Sequence, residues 1–482
     1  MTELSSESTR SPGPSRRAIV IAATAVLALG TYILLPASVN EMQRRTIAIF
    51  LVAAIFWATE VLPLFATSLL VIGMEVLFLA SNGGLANALP TVAPMPEKSL
   101  SYTIFLQSFG SSIVLLFFGG FMISAAMTKH GLDRAIAAKL LRPVSHSPLM
   151  LLIAVVGISA FFSMWMSNTA TAAMMLAIML PVFRSVDEKE PFLMALILAV
   201  PFGANIGGIG TPIGTPPNAV AFGVINAQSA QTGISMSFLD WMMMAVPLEL
   251  ALLALVVVVL FVLFPPSKGL VLKPIETAPK LTGKAKLTLG VLCVAIALWL
   301  TGEWTGLKDA GVALLAAAAL CAFGLLDHKD VNRLDWNILI LMWGGLSLGD
   351  AIAQTGTTDL VQRINFAAIP GGVWMVASLF VAIAVGLSTF MSNTAAANLI
   401  VPIAMALAVG TTETPLELAL MSGLACSFAM ALPVSTPPNA LAFATGRVSA
   451  RAMLISGGLI SVISAAALLA GHRLLMPMLL GW

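Results

Sequence analysis

The sequence predicts an all-α polytopic membrane protein: about 11 transmembrane helices and two re-entrant helical hairpins, set in inverted-topology repeats. Three observations predict it. Of 482 residues, 59% are hydrophobic and only 10% charged, and the mean hydropathy is +0.98; soluble domains carry about 25% charged residues. The basic residues gather in a few short linkers. An ordered series of polar motifs occurs twice along the chain.

Composition excludes several classes. So few charges cannot cover a soluble surface, and a net charge of +2 leaves no basic footprint for nucleic acid. Cys293, Cys321 and Cys426 all lie in apolar segments, with neither CxxC spacing nor a disulfide framework, and are expected to be small core residues. His130, His146, His328 and His472 show no i,i+4 pairing, which argues against zinc chemistry. No organic cofactor is expected.

In chain order, residues 1–17 are polar and rich in Ser, Pro and Arg, and read as a disordered cytoplasmic tail. The apolar run from Ala18 to about Pro36 lacks a small-residue cleavage site, so it reads as a first span (18–43 with its loop) rather than a signal peptide. Further apolar runs cover about 45–62, 63–81, 108–128, 148–182, 191–229, 239–265, 286–301, 309–325, 335–354, 370–408, 415–446 and 452–480. The runs 148–182 and 370–408 are too long for one span, and each holds a polar Ser-Asn-Thr triplet at its middle. Lys129, Arg134, Lys139 and Arg142, the five lysines of 266–286, Lys329 with Arg333, and Arg447 with Arg451 mark cytoplasmic linkers; 230–238 and 409–416 hold no Lys or Arg and read as external. These sides agree only if 148–182 and 370–408 enter and leave on the same side, as re-entrant hairpins do. The N-terminus is then cytoplasmic. Arg44 and Arg45, in a loop placed outside, are a mild violation.

The two halves repeat. Met166-Ser167-Asn168-Thr169-Ala170 recurs as Met391-Ser392-Asn393-Thr394-Ala395, an offset of 225 that also relates Ser163 to Ser388 and Gly119-Gly120 to Gly344-Gly345. Thr215-Pro216-Pro217-Asn218-Ala219 recurs as Thr436-Pro437-Pro438-Asn439-Ala440, at offset 221. The expected organisation is repeat 1 over 44–229, with its Pro-Pro-Asn break at 214–218, then a connecting helix and basic loop over 230–285. Repeat 2 follows over 286–446, with its break at 435–439, and a last helix over 447–482. An odd number of crossings between the hairpins makes the repeat inverted, the arrangement that permits alternating access in a transporter.

Each half therefore contributes two polar interruptions. Two consecutive prolines must unwind a helix. Unwinding frees carbonyls and starts a new half-helix near Asn218 or Asn439. Ser, Thr and Asn are preferred N-cap residues, and the triplets at Ser167–Thr169 and Ser392–Thr394 repeat that pattern. Helix N-termini suit an anion, and Ser, Asn and carbonyl oxygens suit Na⁺. With no Lys or Arg in the motifs, an anionic substrate would be balanced by dipoles and co-bound cations. A lone triplet would more often be interhelical hydrogen bonding, and a lone Pro-Pro a kink; both motifs in both halves outweigh that reading.

The triplets, the two breaks and Trp57-Ala58-Thr59-Glu60-Val61-Leu62-Pro63 resemble the divalent anion–sodium symporter family, INDY-type dicarboxylate transporters. The resemblance runs from about residue 44 to 480, with a weaker echo of the Trp57 segment at Trp299-Leu300-Thr301-Gly302-Glu303. It implies one Na⁺ site at Ser163, Ser167, Asn168 and the Gly214 backbone, and a second at Ser388, Ser392, Asn393 and the Ser435 backbone. It implies substrate contacts from Asn168, Thr169, Thr215, Asn393, Thr394, Thr436 and Pro437. A homodimer in the cell (inner) membrane, with a scaffold and an elevator-type moving domain, is implied too. The expected function is sodium-coupled uptake of a small dianion, a C4-dicarboxylate such as succinate, malate or fumarate. A sodium-independent dicarboxylate or citrate exchanger, a sulfate or tricarboxylate symporter and a passive channel stay open. An intramembrane enzyme is remote, because no nucleophile has a base nearby. Glu60, Glu75, Glu249 and Asp350 read as structural, Asp187-Glu188-Lys189-Glu190 as a solvated turn, Met242-Met243-Met244 as packing, and the Gly pairs as points of close helix approach.

Overall fold

A computed structural model describes residues 14–80, 100–229, 233, 235–272, 280–362, 372–408 and 415–479. Residues 1–13 of the expected tail, and residues 230–232, 234 and 409–414 of the two loops expected to be external, lie outside them. The chain is an all-helical, multi-pass membrane protein, with no strand among the described residues beyond one isolated bridge between Ala80 and Leu100. Seven helices among the described residues are long and apolar enough to cross a membrane.

Proline and short polar residues set the helix starts. Pro148, Pro191, Pro216 and Pro437 each stand in the first turn, where a missing N–H costs nothing. Asn40 with Gln43, and Ser237 with Asp240, close reciprocal capping boxes. The first helix spans Pro14–Leu34, so it enters the stretch expected to be tail. Helix Glu41–Thr59 absorbs the expected Arg44–Arg45 loop. Arg44 donates to the carbonyls of Val39 and Pro36, and Arg45 pairs with Glu41 at 2.8 Å and donates to Phe78 O. Both arginines are thus engaged by protein groups.

The Trp57 segment is a corner. Glu60, the helix C-cap, is the only non-glycine at positive φ (48°) among the described residues. Buried Trp57 donates its indole N–H to the carbonyl of Leu64, the first residue of the next helix, at 3.3 Å. Trp299 donates likewise to Asp309, the first residue of the helix Asp309–Ala322 that follows the short helix Gly302–Thr305, at 3.1 Å. The echo in sequence is thus an echo in structure. Both glycine pairs sit at tight crossings. A Cβ on Gly119 would meet Ala313 at 2.6 Å, one on Gly120 would meet Ile213 at 3.2 Å, and ones on Gly344 and Gly345 would collide with Ser68 and Asn398.

Some expectations are corrected. Only Cys426 is a core residue; Cys293 and Cys321 are exposed on the helix surfaces. Asp187, Glu188 and Lys189 are exposed, but Glu190 is buried, because its carboxylate accepts from the N–H groups of Phe192 and Ser267 at 3.3 and 3.0 Å. At the end of its helix, Lys129 reaches Asp330 and Asp327 at 2.5 and 3.4 Å, tying the two halves together.

Two helix pairs and two broken helices occupy the middle of the molecule. The pairs are Pro148–Ser163 with Asn168–Ser185, and Gly372–Phe390 with Asn393–Ala408. The broken helices are Pro191–Gly207 followed by Pro216–Ala227, and Pro415–Ala425 followed by Pro437–Phe443. The first arm of each pair packs on the pre-break helix of its own half. The second arm packs on the post-break helix of the other half: Asn168–Ser185 on Pro437–Phe443, and Asn393–Ala408 on Pro216–Ala227.

Candidate functional site

That exchange of partners brings polar interruptions from both halves together. Ser167 is the N-cap of the second arm of the first pair, its side chain accepting from Ala170 N at 3.3 Å. Ser163, fully buried at the end of the first arm, donates from Oγ to Asn168 Oδ1 at 2.6 Å. Gly214 lies against them: a Cβ there would stand 2.9 Å from Ser163 O. A Cβ on Gly208 would stand 2.7 Å from Asn168 Oδ1. Glycine at both positions lets the break loop's backbone close onto the Ser-Asn tip.

The link between halves is Asn205. It is fully buried near the end of the pre-break helix. Its Oδ1 accepts from Asn168 Nδ2 at 3.4 Å, and its Nδ2 donates to Thr436 Oγ1 and Asn439 Oδ1, both at 3.2 Å. The first helix pair is thereby joined to the second half's break. Sequence reading missed this residue: a single Asn in an apolar run is unremarkable, and its counterpart at offset 221 is Cys426, so the repeat gave no signal.

Asn218 and Asn439 act differently from expectation. The post-break helices begin at the first proline of each motif, with Thr215 and Thr436 as N-caps. The buried asparagines, two residues on, turn back to bind the unwound carbonyls. Asn218 Nδ2 donates to the carbonyls of Gly208, Ile209 and Thr211 at 2.9, 3.3 and 2.8 Å, and Asn439 Nδ2 to those of Met430 and Leu432 at 3.3 and 3.1 Å. Much of what unwinding frees is therefore already satisfied. Hydroxyls brace both breaks onto the pair tips: Thr211 Oγ1 donates to Met164 O at 2.6 Å, and Ser435 Oγ to Thr389 O at 2.9 Å. Met164 and Thr389 are equivalent positions, whereas Thr211 and Ser435 are not.

In the second half, Ser388 is fully buried and lies beside the Cys426 thiol. Its Oγ and the buried Oδ1 of Asn393 have no nitrogen or oxygen partner among the described residues. Unpartnered hydroxyl and amide oxygens fit a hard cation such as Na⁺. Thr215 and Thr394 are buried, Ser392 is half-buried, and Thr169 and Pro437 are exposed. No hydrogen bond joins Asn168 to Asn393 among the described residues.

Paired helices with polar tips, beside helices broken at Pro-Pro in an all-helical membrane protein, are the architecture of a secondary transporter. A family model described as CitMHS, citrate transporter, matches residues 54–425 and 303–481. A "Sodium-dependent dicarboxylate transporter SdcS" of Staphylococcus saprophyticus is 30% identical, covering 92% of this chain and 88% of that protein. An "Uncharacterized transporter" of Haemophilus influenzae is 32% identical over 74% of this chain and 80% of its own length. In fold, the chain is similar to the YdaH transporter of Alcanivorax borkumensis, with a TM-score of 0.57 at 13% identity over 92% of this chain and 98% of that one. The chain belongs to the citrate-transporter family, and its resemblance to the sodium-dependent dicarboxylate transporters holds. It is a transport protein and not an enzyme.

Proposed function

We propose that the chain is a sodium-coupled importer of C4-dicarboxylates in the cell (inner) membrane, with the N-terminus cytoplasmic. The reading takes 44–229 and 286–446 as inverted repeats whose hairpins enter from opposite sides, and a homodimer in which the hairpins and broken helices move against a scaffold. The observation that carries it is the hydrogen-bonded chain Ser163–Asn168–Asn205–Thr436, which runs from one half's hairpin tip to the other half's break. All four groups are neutral. A dianion beside them has only helix N-termini, amides and hydroxyls to balance it, and each helix end offers roughly half a charge. Co-bound Na⁺ supplies the rest. Ser163, Ser167, Asn168 and Gly214 would hold one ion, and Ser388, Ser392, Asn393 and Ser435 the other. Asn168, Thr169, Thr215, Asn393, Thr394, Thr436 and Pro437 would face the carboxylates.

Uptake of radiolabelled succinate into proteoliposomes under an inward Na⁺ gradient, with choline as control, tests this. Na⁺-dependent accumulation is expected, with loss in Asn168→Ala and Asn393→Ala. Equal uptake without Na⁺, seen only in vesicles preloaded with dicarboxylate, would leave an exchanger. The family model's description favours citrate as a second reading. Citrate that out-competes succinate for uptake would select it.

A further inference from the structure

We propose that Glu249 is a cation-carrying position behind the first break, where a proton or Na⁺ neutralises its carboxylate during transport. Glu249 lies in the middle of helix Phe238–Leu263 and is buried, 3% exposed. Its Oε2 has no hydrogen-bond partner among the described residues. That oxygen is aimed at the break loop: a Cβ added to Gly210 would collide with it, and would also stand 3.0 Å from the Met164 methyl group at the first hairpin tip. The glycine leaves room for the carboxylate at this point of the loop.

Among the described residues, no counter-charge faces it. Helix Phe238–Leu263 packs on helices Pro148–Ser163, Pro191–Gly207, Gly283–Leu300 and Ala450–Leu479, and on the turn Gly208–Gly210. The first two and the turn contain no Asp, Glu, Lys, Arg or His. Gly283–Leu300 carries Lys284 and Lys286 in its first turn, and the described side chains of Ala450–Leu479 include only Arg451, also in a first turn. On its own helix, Asp240 is nine residues away, about 13 Å along the axis, and is engaged by Ser237. Glu75, another buried carboxylate, also has one oxygen without a partner among the described residues, but differs by accepting a hydrogen bond from Ser347 on the other.

An ionised carboxylate so placed, without partner or counter-charge, is strongly disfavoured unless a cation arrives. Position gives this consequence. Glu249 stands against Gly210, which lies in the break loop between Gly208 and Gly214, the glycines that close on the Ser163–Asn168 tip, so its charge state would be felt where the substrate's cations would bind.

The proposal rests on the reading of the chain as a cation-coupled carrier, and the test separates the two. Charge moved per succinate is measured from reversal potentials in proteoliposomes, for wild type and Glu249→Gln, across Na⁺ concentration and across pH on both sides of neutrality. Wild type that ignores Na⁺ and pH fails the carrier reading itself. If wild type is coupled, Glu249→Gln should move one charge fewer per substrate. Loss of the pH dependence identifies a proton at Glu249; loss of one order in the Na⁺ dependence identifies Na⁺. Glu249→Gln with the wild-type charge ratio and unchanged Na⁺ and pH profiles overturns the proposal. Should that variant not assemble, Glu249→Asp keeps the charge and should keep the ratio while shifting half-saturation for the cation several-fold; an unshifted Glu249→Asp overturns it equally.

Discussion

In the first half, the hairpin amide of Asn168 is held on both sides, by Ser163 and by Asn205, and through Asn205 it reaches Thr436 and Asn439. In the second half, among the described residues, the equivalent Asn393 has a buried oxygen with no partner, Ser388 has only the Cys426 thiol beside it, and Cys426 stands where Asn205 would be. The two triplets are identical in sequence. Their neighbours decide what each is ready to do. A thiol is too weak a hydrogen-bond group to tie a hairpin to the opposite break. The first tip is therefore pre-organised by protein contacts, whereas the second holds oxygens without a nitrogen or oxygen partner among the described residues.

The sharpest way to break this comparison is Asn205→Ala against Cys426→Ala. Removing Asn205 orphans Asn168 Nδ2 and weakens the support of Thr436 and Asn439, at about 1–3 kcal/mol for each buried group left unsatisfied. Succinate uptake should fall by at least about tenfold, since 1.4 kcal/mol corresponds to that factor. Thermal stability in detergent should fall with it. Cys426→Ala should change stability by less than about 1 kcal/mol, because no strong partner is lost. Equal losses for the two variants would mean that the halves are wired alike.

Sequence reading located the interruptions because the chemistry that makes them is local. Two prolines cannot stay inside a helix, and Ser167 caps whatever helix follows it. The corner at Trp57 was legible as a motif, though not as an indole holding the next helix. Asn205 was illegible because its role depends on which helices meet: nothing in the run Ala199–Gly210 says that Asn168 lies on one side of it and Thr436 on the other. The clasping by Asn218 and Asn439 was likewise hidden. The same residue type serves as a cap or as a clasp according to where the loop's carbonyls turn. Glu190 was misjudged because charge in a short run predicts solvent, whereas the backbone N–H of Ser267, far along the chain, decided the outcome.

A gentler test concerns the serines. Ser163→Ala removes the donor that holds Asn168 Oδ1, so it should cost about 1 kcal/mol of stability and raise the Na⁺ concentration for half-maximal uptake. Ser388→Ala removes a hydroxyl with no nitrogen or oxygen partner among the described residues. Its thermal stability should stay within about 0.5 kcal/mol of wild type, while its Na⁺ half-saturation rises several-fold. A destabilised Ser388→Ala with unaltered Na⁺ response would show that this hydroxyl serves packing, and would remove the distinction between a braced tip and an open one.

The smallest expected effect compares the two corners. Trp57 and Trp299 each give an indole bond to the first residue of a later helix, Leu64 and Asp309. Trp299 also stacks on Phe238, with ring centroids 4.8 Å apart and planes 9° from parallel, and Trp165 of the first hairpin tip lies 6.4 Å from it at 7°. The second half's corner is thus in ring contact with the first half's hairpin. Replacing either tryptophan with Phe removes a hydrogen bond, about 0.5–1.5 kcal/mol. Trp299→Phe also loses part of a stack, a further 0.5–1.5 kcal/mol or so. Thermal unfolding of the two variants side by side should place Trp299→Phe lower by about 1 kcal/mol. If the two unfold together, the stack contributes nothing to holding the hairpin. The first tip would then owe its placement to the Asn205 network and the Thr211–Met164 brace, and since Ser435 braces the second tip likewise, Asn205→Ala would have to account for the difference between the halves.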